Sequence, residues 1–193
     1  MLTPHARRTS RSQVQGPSFR SVDEPFYKSS QFGYTVTWAT PWAVAESDVM
    51  DVRSPAPGTD GIAICMQDCE IAEVHIVGAD RRDLLDAVET ARFWASAAYL
   101  SEFTESGTKV VLSQCCAKTA ALVMVSPGNT PENRIVTVKE SYDLGPRVSI
   151  RSTFTADLAT FHEAFGSLQQ SVLIDGRAPL RCFDADVLLA VLP

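Results

Sequence analysis

From Tyr34 to Trp38 the chain alternates without exception: Tyr34, Val36 and Trp38 fall on one side of an extended backbone, Thr35 and Thr37 on the other. β-Branched and aromatic residues at a period of two make a strand with one buried face. Gly33 precedes the strand and, having no Cβ, sits where the backbone bends most easily. Pro41 has no N–H to give a ladder, so the strand is expected to end near Thr40 and Trp42 to turn back over the core. Each aromatic ring of this kind can bury roughly 150 to 250 Å². The core is therefore expected to begin here, with Trp38, Phe161 and Phe165 buried together.

The same period recurs downstream. Ile62, Ile64 and Met66 alternate with Ala63, Cys65 and Gln67; after a turn at Asp68 and Cys69, Ala72, Val74 and Ile76 alternate with Glu73 and His75. This pattern predicts two antiparallel strands. The apolar runs TKVVLSQ and TAALVMV read as interior strands, and SPGNTPENR reads as a loop. IVTVKESY and RVSIRSTF predict another hairpin, with Lys139, Glu140, Arg147 and Arg151 at its wetter positions.

Two long helices interrupt the strands. Asp80, with Asp83 three residues on, is expected to open the first, whose apolar face runs through Leu84, Val88, Ala91, Ala95 and Ala98. Thr155 is the expected N-cap of the second, with Asp157 in its first turn and Leu158, Phe161, Phe165 and Leu168 as a buried stripe. A short strand should end at Ile174, and Asp184 should cap a terminal helix carrying Val187, Leu188 and Val191.

Two of these segments resemble a known family. FGYTVTWATPW at 32–42, and the helix and strand TADLATFHEAFGSLQQSVLIDG at 155–176 with its F-x-x-x-F-x-x-L spacing, are similar to the opening strand and closing helix of PsbP-like and Mog1-like domains, including related uncharacterised bacterial lipoproteins. The resemblance spans most of residues 27–176 and rests on aromatic packing positions. It implies an α+β fold, an antiparallel β-sheet flanked by helices as an α/β/α sandwich. It also implies a role in binding or assembly, and supplies no catalytic residue.

A chain of 193 residues with 45% hydrophobic composition suits one α+β domain over 25–193 behind a basic, disordered arm over 1–24. The arm holds Arg7, Arg8, Arg11 and Arg20 and no acid in its first twenty residues, so the remainder carries −10 against −6 for the whole chain. An acidic body repels phosphate and argues against nucleic acid as the partner. Arg- and Ser-rich, acid-poor composition is that of transit peptides, yet the arm has neither the apolar core of a secretory signal nor a lipid-acceptor signal. No apolar run approaches the roughly 18 residues of a membrane span. The expected location is cytoplasmic, the alternative being exported or organellar with an incomplete targeting segment.

Five cysteines, an odd number, make a poor disulfide framework and suit a reducing compartment. A metal site could be drawn from Cys65, Cys69 and His75 with Cys115 or Cys116, since the Cys65–Cys69 gap is one that zinc accepts. Adjacent cysteines on an extended chain point to opposite faces, so the doublet gives one ligand more readily than two. A nucleophilic pair could be drawn from Cys115 or Cys116 with His75 or His162. Both histidines read as surface residues, and free cysteine often serves as a small buried hydrophobe. Phosphate-binding, dinucleotide, zincin and nucleophile-elbow motifs are absent from the sequence. The acid pairs Asp80 with Asp83 and Asp184 with Asp186 read as helix starts. No catalytic residue and no cofactor are expected. The leading expectation is a non-catalytic module that binds or assembles with a partner protein. The alternative is a small-molecule- or metal-binding protein, or an enzyme of unfamiliar type, using the cysteines or a pocket near Trp38 and Trp42.

Overall fold

The computed structural model describes residues 25–45, 58–83, 85–104, 106–116, 118–130, 133–183 and 185–192. The basic arm over 1–24, residues 46–57 and the expected cap Asp184 lie outside the described residues. The first strands are β1 (Phe26–Lys28), β2 (Thr35–Trp38), β3 (Trp42–Val44), β4 (Thr59–Met66) and β5 (Ala72–Asp80). Helices α1 (Ala87–Trp94) and α2 (Ala97–Thr104) follow, then β6 (Lys109–Cys116), β7 (Thr119–Pro127), β8 (Arg134–Leu144) and β9 (Val148–Asp157). The chain closes with α3 (Phe161–Ser171), β10 (Val172–Ile174) and α4 (Ala185–Val191).

The strands form two antiparallel sheets among the described residues, one of order β1-β2-β10 and one of order β3-β4-β5-β9-β8-β7-β6, which with the helices makes an α+β chain. Period two decides which side chains meet. Ile64, Val74, Phe154, Val138 and Val123 pair in succession across β4, β5, β9, β8 and β7 and are fully buried. The small sheet adds Val36, Trp38, Val172 and Ile174 to the same cluster, and α3 adds Phe161, Ala164, Phe165 and Leu168. Phe161 and Phe165 stack at 5.3 Å, and both meet Phe154 edge-on, at 5.8 and 5.5 Å. Trp38, Phe161 and Phe165 thus share one core, as expected. Burying each such side chain contributes about 1.5–3 kcal/mol.

β7 is buried on both faces. Ala121, Val123 and Val125 join the main core, while Ala120, Leu122 and Met124 pack with Ala87, Trp94 and Tyr99 of α1 and α2. Tyr34 locks the small sheet to β4 and β5. Its hydroxyl donates to the Asp60 carbonyl at 2.6 Å and accepts from the Gly78 N–H at 3.1 Å. Gly78 makes this approach possible, because a Cβ there would lie 2.4 Å from Tyr34 Cε1.

Several expected boundaries move. β5 continues to Asp80, whose carboxylate accepts from the Arg82 N–H at 2.9 Å and its guanidinium at 2.6 Å and heads a single 3-10 turn over Arg81–Asp83, not the long helix expected there. The first helix starts at Ala87 behind Asp86, which forms a reciprocal capping box with Glu89. Val88 is accordingly exposed, and Ala87, Thr90 and Trp94 face inward. β9 runs through Thr155 to Asp157, and Thr160 takes the N-cap position of α3 without capping it from its side chain, its Oγ1 donating instead to the Asp157 carbonyl at 3.3 Å. Leu158 is only partly buried. Trp42 leaves the first strand for β3, where it is buried and donates from Nε1 to Ser167 Oγ at 3.1 Å. In the terminal helix Leu188 is buried and Val187 exposed.

Candidate functional site

β8 carries its apolar phase through Val136 and Val138, and the next two residues in that phase are Glu140 and Tyr142. Glu140 therefore points inward with only 4% of its surface exposed, which corrects its expected place on the wet face of the hairpin. A carboxylate there needs donors. The segment after β10 brings them: Leu180 is fully buried, its φ of 55° turns the chain, and its N–H donates to Glu140 Oε2 at 2.7 Å. Burial pushes the Glu140 carboxyl above the usual carboxylate range, opposed by backbone hydrogen bonds from Leu180, Cys182 and Arg181 and by the Arg181 charge. Gln169 holds the same segment from below, its Nε2 donating to the Phe183 carbonyl at 3.0 Å.

A cavity of about 410 Å³ opens beside this carboxylate. Tyr142 and Asp143 extend its wall along β8, and Lys118 and Thr119 close it from the β6–β7 turn. Arg177, Arg181 and Cys182 complete it. Arg177 is placed by a tight turn in which Ile174 and Arg177 exchange both backbone bonds, at 2.7 and 3.0 Å. Asp175 pins that turn by accepting from the Thr35 N–H and hydroxyl, each at 2.8 Å. The Sγ of Cys182, which is disulfide-bonded, lies 4.0 Å from the Thr119 carbonyl oxygen.

The charges around the cavity are unequal. Asp143 is paired with Arg81 at 3.1 Å, and Glu140 is engaged by backbone N–H groups. Lys118, Arg177 and Arg181 are exposed and form no ion pair among the described residues. Burial, then the nearby Glu140 charge, raise the Tyr142 phenol above its ordinary value, so it remains a neutral donor. Three cations and a phenol around one cavity can hold an anion through charge-assisted hydrogen bonds.

The residues singled out by sequence fall elsewhere. Cys65 and Cys69 are joined in a disulfide across the β4–β5 turn, with Cα atoms 4.8 Å apart, which corrects the expectation of free cysteines. Their sulfurs have no thiolate to give to a metal or a substrate. His75 lies on the same sheet face as Cys65, opposite Ala63 in the β4–β5 ladder, its Nε2 2.7 Å from Glu73 Oε1. Cys115 and Cys116 are on β6, the far edge strand, with β5, β9, β8 and β7 between it and β4; their side chains lie outside those described. The four metal candidates are therefore not gathered at one place. Among the described residues no group of three or more His, Cys, Asp or Glu could hold a metal ion. His162 is exposed on α3. Trp38 and Trp42 are core residues. Among the described residues no helix is long and apolar enough to cross a membrane.

Sequence reading missed Glu140, Arg177 and Arg181. A signal for the first was present, since RIVTVKESYDL puts an acid in phase with two valines. Arg177 and Arg181 carry no such mark. No protein-family model and no curated protein matches the chain.

Proposed function

We propose that the protein is a non-catalytic binding module that holds carboxylates of an acidic partner protein in the cavity between β8 and the segment 177–182. The observation that carries this reading is the set of three cations, Lys118, Arg177 and Arg181, around a cavity whose own acids are already engaged. The guanidinium fork matches a carboxylate in two parallel bonds, which a lysine point charge does not. Glu140 acts as a positioning residue: its Oε2 accepts from the Leu180 N–H and so holds the turn that carries Arg181.

The α/β/α sandwich of PsbP-like and Mog1-like domains belongs to the same proposal. Its support is that α3 packs in the cluster on one face of β7 and α1 and α2 in the cluster on the other. The Cys65–Cys69 disulfide and the bonded state of Cys182 favour the exported or organellar alternative over the cytoplasm.

The test is fluorescence anisotropy of a labelled oligoglutamate peptide with the wild-type protein and with Arg177→Ala/Arg181→Ala, in low and in physiological salt. Hydrogen bonds to charged groups are worth about 1.5–3 kcal/mol each, so the double variant should bind at least about 100-fold more weakly. Binding should also weaken with salt. Equal binding by the two proteins, or none by the wild type, would refute the proposal; capture of inorganic phosphate but not of the peptide would favour the small-molecule reading.

A further inference from the structure

Arg181 and Cys182 stand between two cavities. The second, about 540 Å³, lies along α3, where His162, Gly166 and Gln170 line it on successive turns of one helix face. Arg181 and Cys182 line both, so the two cavities adjoin on either side of one short piece of chain.

Gly166 is the telling residue. It sits inside an eleven-residue helix, where glycine is the least favourable residue after proline. Packing does not ask for it: a Cβ at Gly166 would meet no described atom within 4 Å, and its φ is not left-handed. Alanine would serve the helix better. What the glycine leaves is open room on the face of α3 that borders the cavity, which lets another backbone come close. The exposed side chains of His162 and Gln170 flank that room. From His162 to Gln170 the helix rises about 12 Å, the reach of about four extended residues.

We propose that the second cavity continues the first, and that the ligand is an extended acidic peptide: carboxylates anchored at Lys118, Arg177 and Arg181, the following backbone crossing Arg181 and lying on α3 at Gly166. This inference rests on the anion-binding reading of the first cavity and adds that the partner binds as an extended segment whose backbone runs on over α3 at Gly166. The shared Arg181 supplies the positive charge, Asp186 being the acid on the second cavity's wall, and the glycine supplies the clearance.

The experiment compares Gly166→Ala with wild type in urea denaturation and in binding to two probes, a labelled oligoglutamate peptide and diglutamate. The variant should unfold at higher urea. It should bind the long peptide on the order of ten-fold more weakly, the equivalent of about one good hydrogen bond, and bind diglutamate unchanged. Equal affinity of both proteins for the long peptide would overturn the inference while leaving the first cavity's role intact. A variant less stable than wild type would also overturn it, since the glycine would then serve the fold. Failure of wild type to bind either probe would remove both readings together.

Discussion

Glu140→Gln asks whether the buried carboxylate under the 180–182 turn is kept against its own ionisation. The wild-type carboxyl titrates above its ordinary value because burial disfavours the charged form, and the native state therefore binds its proton more tightly than the unfolded chain does. Between the unfolded and the raised value, stability falls as pH rises, by at most about 1.4 kcal/mol per pH unit. Below that window the protonated group makes its full contribution; above it the contribution is lost. Glutamine keeps an oxygen for the Leu180 N–H and has no proton to release. Glu140→Gln should therefore flatten that slope and be at least as stable as wild type at neutral pH. Glu140→Ala removes the acceptor of the 2.7 Å bond as well and leaves a cavity, so it should lose about 2–4 kcal/mol. Urea denaturation over a series of pH values, with the m-value as a check on two-state behaviour, reads all three proteins. Parallel pH slopes for wild type and Glu140→Gln, or a glutamine variant as unstable as the alanine one at neutral pH, would refute the reasoning.

Asp60 should show the opposite sign. Burial pulls its carboxyl up, but hydrogen bonds from Tyr27, Ser29 and the backbone of Gln31 and Ser30 outweigh it and hold the group below its ordinary value. Its contribution is present above the unfolded value and lost as pH falls through the folded one, so Asp60→Asn should weaken the acid-side loss of stability seen in the same titration; an unchanged acid limb would contradict this. Gly78→Ala drives a methyl to 2.4 Å from the Tyr34 ring and displaces the hydroxyl that bridges Asp60 and Gly78, with an expected loss of about 2–4 kcal/mol in urea; a loss below about 0.5 kcal/mol would mean the ring moves freely. Phe165→Ala removes one ring from the Phe154–Phe161–Phe165 cluster and should lose about 3–5 kcal/mol, collapsing the near-ultraviolet circular dichroism; retention of the wild-type spectrum and midpoint would place the ring outside the essential core.

The strands were legible because alternation is a local property. Tyr34, Val36 and Trp38, or Val74 and Ile76, declare their buried face whatever they pair with. Helix starts were less so, because several acids compete for the same role. Asp80 and Asp83 looked like a cap, yet only Asp86 has a glutamate three residues on, the pair that can reciprocate. Thr155 looks like a cap in sequence because β9 and α3 follow one another closely, yet strand pairing with β5 and β8 holds the chain extended through Asp157. The candidate site was the least legible. Glu140 could have been found from its phase, but Lys118, Arg177 and Arg181 meet only because β6, β7 and β8 are neighbours and the turn at 174–177 folds back beside them. Strand order is decided by tertiary packing and leaves no periodic trace in the chain. The cysteines are a local matter of turn geometry. The count was odd, but the turn from Gln67 to Cys69, with positive φ throughout, brings Cys65 and Cys69 within bonding reach.

The most direct test of the carboxylate-binding cavity is a ¹H–¹⁵N NMR titration of the full chain with oligoglutamate, following both backbone amides and arginine side-chain Nε–H groups. The account predicts that the largest shift changes fall on Lys118, Tyr142, Arg177 and Arg181, with the Arg177 and Arg181 side chains titrating together, and that His75 and Glu73 on the opposite sheet face stay still. Shift changes centred on His75 and Glu73, or none at Arg177 and Arg181 at saturating peptide, would contradict it.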